Sequence, residues 1–472
     1  ISIVDGPQRI RGLAGTGKTI VLAMKAANIN LQNPQARILF TFWTKSLYDM
    51  AKQLITRFYR QFDERDPDWN QINILHAWGG KNLEGVYYNT CLEHGRIPQT
   101  LKEVPANEKS AFGYVCQKLF DSTTIEPKYD YVIIDEGQDF PPAFFKLCFL
   151  LTKGEEVDRN VIWAYDELQT MFDTEVQNVA KTFGVNKNNK PLMDLERAEE
   201  TRSAGLLPHD IVLHRCYRNP PEVLTTAHAL GFGIYSQEGF VQMLENKAHW
   251  EDLGYIVEHG NCRPGEETVI LRPDENSPLA LSKYVDRKDI IQWKRAKDLS
   301  EEATWVCSEI EKFLSEGLRH DDIMVVCMDD RNARTYFKAI AEQLAEKSIM
   351  VNNVLTAAYG EPQFTLDNHI TLSTVYRAKG NEAAVVLAVG LDAIHPIRNT
   401  RRGRNRLFTA ITRSKAWLRL SGIGREAEVF FTEIEASLRN FPRMKFVYPD
   451  LARLDLIQRD LSERSAKIQQ IQ

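Results

Sequence analysis

The sequence lacks the long apolar runs that a membrane-spanning helix requires. Such a helix needs roughly 18 or more consecutive apolar residues, and no stretch of the 472 residues approaches that length. The hydrophobic fraction of 43% and the charged fraction of 26% are ordinary for a soluble globular protein. The sequence therefore argues against an integral membrane protein, and its length predicts roughly two to four domains.

The sequence also lacks paired cysteines. The seven cysteines are scattered and odd in number, and no two of them have CxxC spacing. Neither a structural zinc site nor a disulfide framework is expected, and a reducing cytoplasm fits this use of cysteine best. No nuclease constellation, internal repeat or low-complexity segment stands out.

There is no excess of positive charge either. The chain has 59 Lys and Arg against 64 Asp and Glu, for a net charge of -5. This balance argues against nucleic-acid binding by the whole surface, although a local basic groove is compatible with it. Because the chain begins with Ile1 rather than Met, we expect a preceding segment in the full-length protein.

A phosphate-binding loop is present near the start of the chain. The stretch "GLAGTGKT" has the full GxxxxGK[ST] pattern, through Gly12, Gly17, Lys18 and Thr19, and Gly15 lies within the loop as a further candidate for the phosphate site. Glycines let consecutive backbone N–H groups turn toward a phosphate without Cβ clashes. Lysine is expected to reach the β- and γ-phosphates of ATP, and threonine to bind Mg²⁺. A short strand before the loop and a helix after it complete the expected context.

Two adjacent carboxylates follow a second apolar strand. In "YVIIDEGQDF", Asp135 and Glu136 come directly after four β-formers that are typical of a central parallel strand. We expect Asp135 to hold Mg²⁺ through water and Glu136 to orient and deprotonate the attacking water. Because side chains alternate at a strand end, one acid is predicted to face the metal and the other the nucleophile.

These acids and several other stretches of the chain resemble superfamily 1 helicases of the UvrD/Rep/PcrA type. "DEGQD" resembles their acidic DE–QD box, and further motifs lie before and after it, in the family's order, up to residue 420. These are "FTFWTKSL" (40–47, motif Ia), "ILHAWGG" (74–80), "WAYDELQTMF" (163–172, motif III), "LHRCYRNPPEV" (213–223), "DDIMVVCMDDRNARTYFKAI" (321–340, motif IV), "TLSTVYRAKGNEAAVV" (371–386, motif V) and "RNRLFTAITRSKAWLRL" (404–420, motif VI).

The resemblance implies an α/β fold with two RecA-like domains and ATP hydrolysed between them. It implies that Arg218 and Arg413 stabilise negative charge on the γ-phosphate and that Gln169 senses this phosphate. The other nucleotide contacts that it implies are Tyr217 on adenine, Glu382 on the ribose, and Gly380.

The same resemblance implies nucleic-acid contacts. Phe42 of motif Ia and Phe172 of motif III are expected to stack on bases, the alternative being that both rings are core residues. His76, Thr374 and Tyr376 are the other candidates, and Tyr376 stands where the family has histidine.

Spacing predicts a reduced form of this helicase. The stretch from Ile323 to Thr374 is too short for the large 2B insert of the family. The predicted domains are a first RecA-like domain over 1–212, with a short 1B-like insertion at about 77–128, and a second over 213–448. Heptad-spaced apolar residues predict a C-terminal helix over 449–472. The five arginines of "RNTRRGRNR" (398–406) predict either a solvated loop or contacts with a phosphate backbone.

Three functions remain open from the sequence. The first is an ATP-driven translocase or helicase on single-stranded nucleic acid, with DNA favoured over RNA and 3′→5′ movement implied by the resemblance. The second is an ATP-dependent switch that regulates a protein partner. The third is the motor of a nuclease-containing complex, in DNA repair or antiviral defence by family analogy only. No membrane partner is expected.

Overall fold

The computed structural model describes residues 5–44, 47–155, 158–166, 179–185, 190–195, 198–199, 208–356 and 363–457. Their contacts divide the chain into two compact units. The first contains Gly17–Leu213 together with the residues up to Leu13, and the second contains His214–Ile457 together with Ala14–Thr16.

The first unit is built on a parallel sheet. Its described strands are β1 (Gln8–Gly12), β2 (Ile38–Phe42), β3 (Ile72–His76), β4 (Tyr131–Ile134), β5 (Asn160–Tyr165) and β6 (Asp210–Leu213). They lie in the order β3-β2-β4-β5-β1-β6, with every neighbouring pair parallel. Because β1, β4 and β5 are adjacent and parallel, the residues that follow them meet at one edge of the sheet.

Both faces of this sheet are covered by helices. The described helices are α1 (Lys18–Gln32), α2 (Leu47–Tyr59), α3 (Val86–Glu93), α4 (Ala111–Ser122), α5 (Pro142–Leu151) and α6 (Val179–Phe183). Alternate strand residues enter opposite cores: Ile133 packs with α1 and α2, whereas Val132 and Ile134 pack with α3, α4 and α5. This is why β4 is apolar at every position. Helices α3 and α4 lie in the predicted insertion between β3 and β4.

The second unit has its own parallel sheet. The strands are β10 (Ile291–Ala296), β11 (Ile323–Cys327), β12 (Val351–Asn353), β13 (Ile370–Thr374), β14 (Ala383–Val389) and β15 (Ser414–Ile423), in the order β10-β15-β14-β11-β13-β12. The described helices are α7 (Pro221–Phe232), α8 (Lys247–Asp252), α9 (Arg287–Ile290), α10 (Leu299–Ser315), α11 (Ala333–Glu346), α12 (Val375–Ala378), α13 (Arg401–Ile411) and α14 (Gly424–Asn440). Helices α10 and α11 share a core with this sheet.

Smaller strands complete the second unit. β8 (Ile256–His259), β9 (Glu267–Leu271) and β16 (Arg443–Val447) form an antiparallel sheet, and β7 (Gln242–Leu244) pairs in parallel with β17 (Asp455–Ile457). Two parallel α/β sheets flanked by helices confirm the predicted fold class, which is consistent with two RecA-like domains. Among the helices of the described ranges, none is long and apolar enough to cross a membrane.

The arginine-rich segment 398–406 is not the solvated loop that its composition suggested. From Arg401 it is part of α13, whose N-cap Thr400 accepts a hydrogen bond of 3.1 Å from the Gly403 N–H through its hydroxyl. Arg404 is fully buried and donates to both carboxylate oxygens of Glu433, at 2.6 and 3.1 Å. A guanidinium buried in this way is bound to its partner carboxylate and is not presented to a phosphate backbone.

The expected C-terminal helix is also wrong where the structure describes that segment. Residues 451–453 form a single 3-10 turn, and Asp455–Ile457 pair with the edge of β7 instead. The pairing satisfies main-chain N–H and C=O groups on both strands, which the sequence spacing could not reveal. The remainder of the predicted helix, 458–472, lies outside the described residues.

Candidate functional site

The P-loop connects the end of β1 to the start of α1. Gly17 is the N-cap of α1 in the left-handed conformation, with φ +88°, which favours glycine because it has no Cβ. No side chain caps this helix terminus. The first N–H groups of α1 have no partner within the helix, and they lie at the positive end of the helix dipole, next to the loop. This is the arrangement that binds a phosphate.

Lys18 lies over this loop. Its ammonium donates hydrogen bonds of 2.9 Å to the carbonyls of Gly12 and Leu13, and Asp166 Oδ2 lies 3.9 Å away. The lysine is buried, so its charge acts in a poorly hydrated environment where Coulomb interactions are strong. A positive charge held above a ring of N–H groups suits a polyphosphate.

Thr19 and Asp135 meet at the same edge of the sheet. The Thr19 hydroxyl donates a 2.7 Å hydrogen bond to Asp135 Oδ2. Burial, and then the neighbouring charge of Glu136, raise the pKa of Asp135 to about 6. A buried carboxylate that is costly to ionise is stabilised by a nearby cation. The hydroxyl and carboxylate oxygens are ligands of the kind that Mg²⁺ prefers.

No group of three or more His, Cys, Asp or Glu side chains that could hold a metal ion occurs within the described ranges. Mg²⁺ keeps several waters and commonly uses one or two protein oxygens together with substrate phosphates. Thr19 and Asp135 fit that incomplete shell.

Glu136 has a main-chain conformation that the sequence did not indicate. Strand β4 ends at Ile134, and the Asp135 N–H still donates a 2.9 Å hydrogen bond to the carbonyl of Thr41 in β2. The expected alternation of the two acids at the strand end stays a prediction. Glu136 has φ +54° and ψ 42°, in the left-handed region. For a residue other than glycine this conformation costs roughly 1–2 kcal/mol. A turn therefore begins directly after Asp135, and the charge of Glu136 is close enough to raise the pKa of the Asp135 carboxyl.

Gln138 is a buried residue of this site that our sequence-based assignment missed. Its side-chain amide donates to Glu136 Oε2, and its amide oxygen accepts a 3.1 Å hydrogen bond from the Asp166 N–H. The side chain is only 3% exposed. The signal that could have found it is its place in the "DEGQD" motif.

In the second unit the structure brings Arg218, Glu382 and Arg413 together. Arg218 Nε lies 2.5 Å from Glu382 Oε2, as an ion pair rather than an aligned hydrogen bond. Arg413 is buried and donates to the carbonyls of Thr409 (3.0 Å) and Asn381 (3.3 Å). Burial alone would raise the pKa of Glu382, but the nearby positive charges, that of Arg218 first, hold it below its ordinary value.

Tyr217 is 60% exposed, and its backbone N–H donates a 2.9 Å hydrogen bond to the carbonyl of Gly15, which belongs to the same unit. An accessible ring is compatible with the predicted stacking on adenine. Gly15 has φ +74°, and a Cβ there would lie 2.3 Å from Cβ of Arg218, so this position requires glycine. Gly380 also has a positive φ, of +82°, directly before Asn381.

The nucleic-acid contacts expected from the sequence are placed differently. Phe42 is 1% exposed and lies in the core with Phe40, so the prediction that it stacks on a base is wrong for this structure. His76 is half-buried, and its Nδ1 accepts hydrogen bonds from the N–H groups of Trp78 and Gly79, both at 3.1 Å. The packing of a strand side chain toward α1 and α2 decided the position of Phe42.

The motif V residues lie near the start of α12. Thr374 is buried at the end of β13. Tyr376 is half-buried, and its hydroxyl accepts a 2.9 Å hydrogen bond from Arg402. The guanidinium of Arg406 lies 5.5 Å from its ring centroid. Gln169 and Phe172 lie outside the described residues, so their predicted roles stay predictions.

Comparison with known proteins connects part of the second unit to helicases. A family model described as the UvrD-like helicase C-terminal domain matches residues 369–421, which contain β13, β14 and α13. No curated protein matches the chain. Among solved structures, the C-terminal domain of a possible DNA helicase from Lactobacillus plantarum WCFS1 is similar at 14% identity, with a TM-score of 0.24, over 36% of this chain and 86% of that one.

The segment matched by the family model contains Thr374, Tyr376, Gly380, Glu382 and Arg413. This segment is therefore similar to the C-terminal domain of a UvrD-like helicase, in agreement with the resemblance of motifs V and VI. That similarity supports a helicase-like function.

Proposed function

We propose that this protein is an ATP-dependent motor of the UvrD-like helicase type that moves on single-stranded nucleic acid. The observation that carries the proposal is the constellation in the first unit, where a buried lysine lies over a P-loop and Thr19 is hydrogen-bonded to the fully buried Asp135. The similarity of residues 369–421 to the C-terminal domain of UvrD-like helicases supports a motor of the helicase class.

In the proposed reaction, the loop N–H groups and Lys18 bind the β- and γ-phosphates of ATP. Thr19 and Asp135 would hold Mg²⁺, which supplies neutralisation of phosphate charge when bound. Glu136 orients a water molecule and accepts its proton as the water attacks the γ-phosphate. The products are ADP and phosphate. Arg218 and Arg413 are proposed to stabilise the negative charge that develops on the transferred group.

Arg218 forms an ion pair with Glu382 in the structure, and this pairing bears on its proposed role at the γ-phosphate. A charge already paired with a carboxylate is less available to a phosphate. We infer that Arg218 exchanges Glu382 for the γ-phosphate during turnover, while Lys415, 3.9 Å from Glu382 Oε1, remains as a partner for the carboxylate.

A reduced form that lacks a 2B insert is part of the proposal. Between Ile323 and Thr374 the described residues, 323–356 and 363–374, contain β11, α11, β12 and β13 and no further helix. DNA is the proposed strand, and 3′→5′ is the proposed direction.

The reduced form predicts poor unwinding relative to translocation, because little of the chain is available to hold a duplex ahead of the motor. Stopped-flow translocation on labelled single strands is expected to give a clear signal, whereas fork unwinding by this chain alone is expected to be slow. Processive unwinding of long blunt duplexes would contradict the reduced form.

The proposed function itself is tested by the ATPase rate of the full-length protein without nucleic acid and with single-stranded DNA, single-stranded RNA or duplex DNA. A motor on single strands is expected to hydrolyse ATP faster with single-stranded DNA than without it. Hydrolysis that no nucleic acid stimulates would favour the ATP switch, and hydrolysis stimulated by RNA alone would correct the proposed substrate.

A further inference from the structure

Gln138 connects two strand ends of the first unit through one side-chain amide. The NH₂ group donates to Glu136 Oε2, just after β4, and the amide oxygen accepts the 3.1 Å hydrogen bond of the Asp166 N–H, just after β5. Both ends of the amide are therefore engaged in a buried environment, where such hydrogen bonds are strong and costly to break.

We propose that Gln138 is a positioning residue that holds the carboxylate of Glu136 in the orientation needed to accept the proton of the attacking water. This inference rests on the proposed function, because it assigns a task to the group next to the proposed general base. Gln138 itself touches neither water nor nucleotide in this role.

The main chain explains why Glu136 needs such support. Its main chain is in the left-handed region, and its carbonyl accepts a 3.0 Å hydrogen bond from the Asp139 N–H. These two features belong to the backbone and do not set the rotatable bonds of the side chain. A hydrogen bond to the carboxylate itself restricts those bonds, and Gln138 provides one.

An amide suits this position better than other groups of similar size. It presents a donor to the carboxylate and an acceptor to the Asp166 N–H at the same time. A carboxylate at residue 138 would keep the acceptor but would repel Glu136, and an apolar side chain would provide neither contact.

The amide also sets Glu136 relative to β5, and through it to the P-loop lysine. Asp166, whose N–H binds Gln138, has its own carboxylate 3.9 Å from the ammonium of Lys18. Through Gln138, the proposed base Glu136 is therefore connected to the end of β5, the same strand end that lies beside Lys18. Misplacement of a catalytic group by about 1 Å can cost on the order of 100-fold in rate.

The test uses two variants of the full-length protein that separate the two contacts. Gln138→Met has a similar shape but loses both hydrogen bonds, whereas Gln138→Glu keeps an acceptor for the Asp166 N–H and loses the donor to Glu136. We expect kcat for strand-stimulated ATP hydrolysis to fall by roughly 100-fold in Gln138→Met and at least as far in Gln138→Glu. The Kd for ATP is expected to stay within about twofold in both. Circular dichroism verifies that each variant is folded.

A double-mutant cycle with Glu136→Gln distinguishes positioning from a general structural role. If Gln138 acts through Glu136, adding Gln138→Met to Glu136→Gln should change the residual single-turnover rate by less than about twofold. A structural defect would instead lower the single-turnover rate equally in the wild-type and Glu136→Gln proteins, and it would weaken ATP binding.

The outcomes separate this inference from the proposed function. Suppose that the wild-type protein hydrolyses ATP. The positioning role alone would then be overturned if Gln138→Met left kcat unchanged, or if it lowered the rate equally in the wild-type and Glu136→Gln proteins. Wild-type protein that hydrolyses no ATP under any of the nucleic-acid conditions would overturn the proposed function and this inference together.

Discussion

Replacing Lys18 by alanine is expected to lower kcat for ATP hydrolysis by roughly 10³-fold or more. Removal of a single transition-state donor commonly costs about 10²–10³, and Lys18 adds a full charge in a buried position over the loop. The rate is measured at steady state with saturating single-stranded DNA. Lys102→Ala, which removes an exposed lysine in the same unit, serves as the control and is expected to be unaffected.

Glu136→Gln tests the other half of the same centre. The change keeps the size of the side chain and removes its ability to accept a proton, so kcat is expected to fall by roughly 10²–10⁴-fold. ATP binding is expected to be retained, which should trap a complex bound to the strand. Hydrolysis at the wild-type rate would contradict the assignment of Glu136 as the base.

Phe42→Ala is expected to lower the free energy of unfolding by roughly 3–5 kcal/mol, because a fully buried phenylalanine leaves a large cavity when it is truncated. The ring lies in the core formed by β2, α1 and α2. The measurement is urea unfolding followed by circular dichroism, together with single-strand affinity per folded molecule, which is expected to stay unchanged.

Phe62→Ala is the matched control for that prediction. Phe62 is 79% exposed, so its truncation is expected to change stability by less than about 0.5 kcal/mol. The result that would restore base stacking by Phe42 is a loss of strand affinity, roughly five- to 150-fold, with stability unaltered.

Local sequence was sufficient for the elements in which short-range chemistry decides the structure. The glycines and lysine of "GLAGTGKT" predicted the strand–loop–helix around the phosphate site, because few other residues permit such a backbone. Four consecutive β-formers before Asp135 likewise predicted a strand that is buried on both faces, which β4 is.

Elsewhere the sequence was not sufficient, because the outcome depended on which distant groups pack together. Arg404 was read as part of a solvated or phosphate-binding segment, yet Glu433, far along the chain, holds it in the interior. The same holds for Gln138, whose partner Asp166 follows directly after β5, a strand that only the sheet order places beside β4.

The sequence by itself thus determined which chemical groups form the candidate site: a glycine-rich loop with a lysine, a threonine hydroxyl and two adjacent carboxylates. Only the tertiary structure decided the orientation of those groups. Glu136 has a left-handed main chain and a carboxylate that accepts from the amide of Gln138, and Phe42 lies in the core. The physical reason is that the local sequence fixes which chemical groups are present. The direction of a side chain depends instead on where its strand ends and on packing between elements distant in sequence.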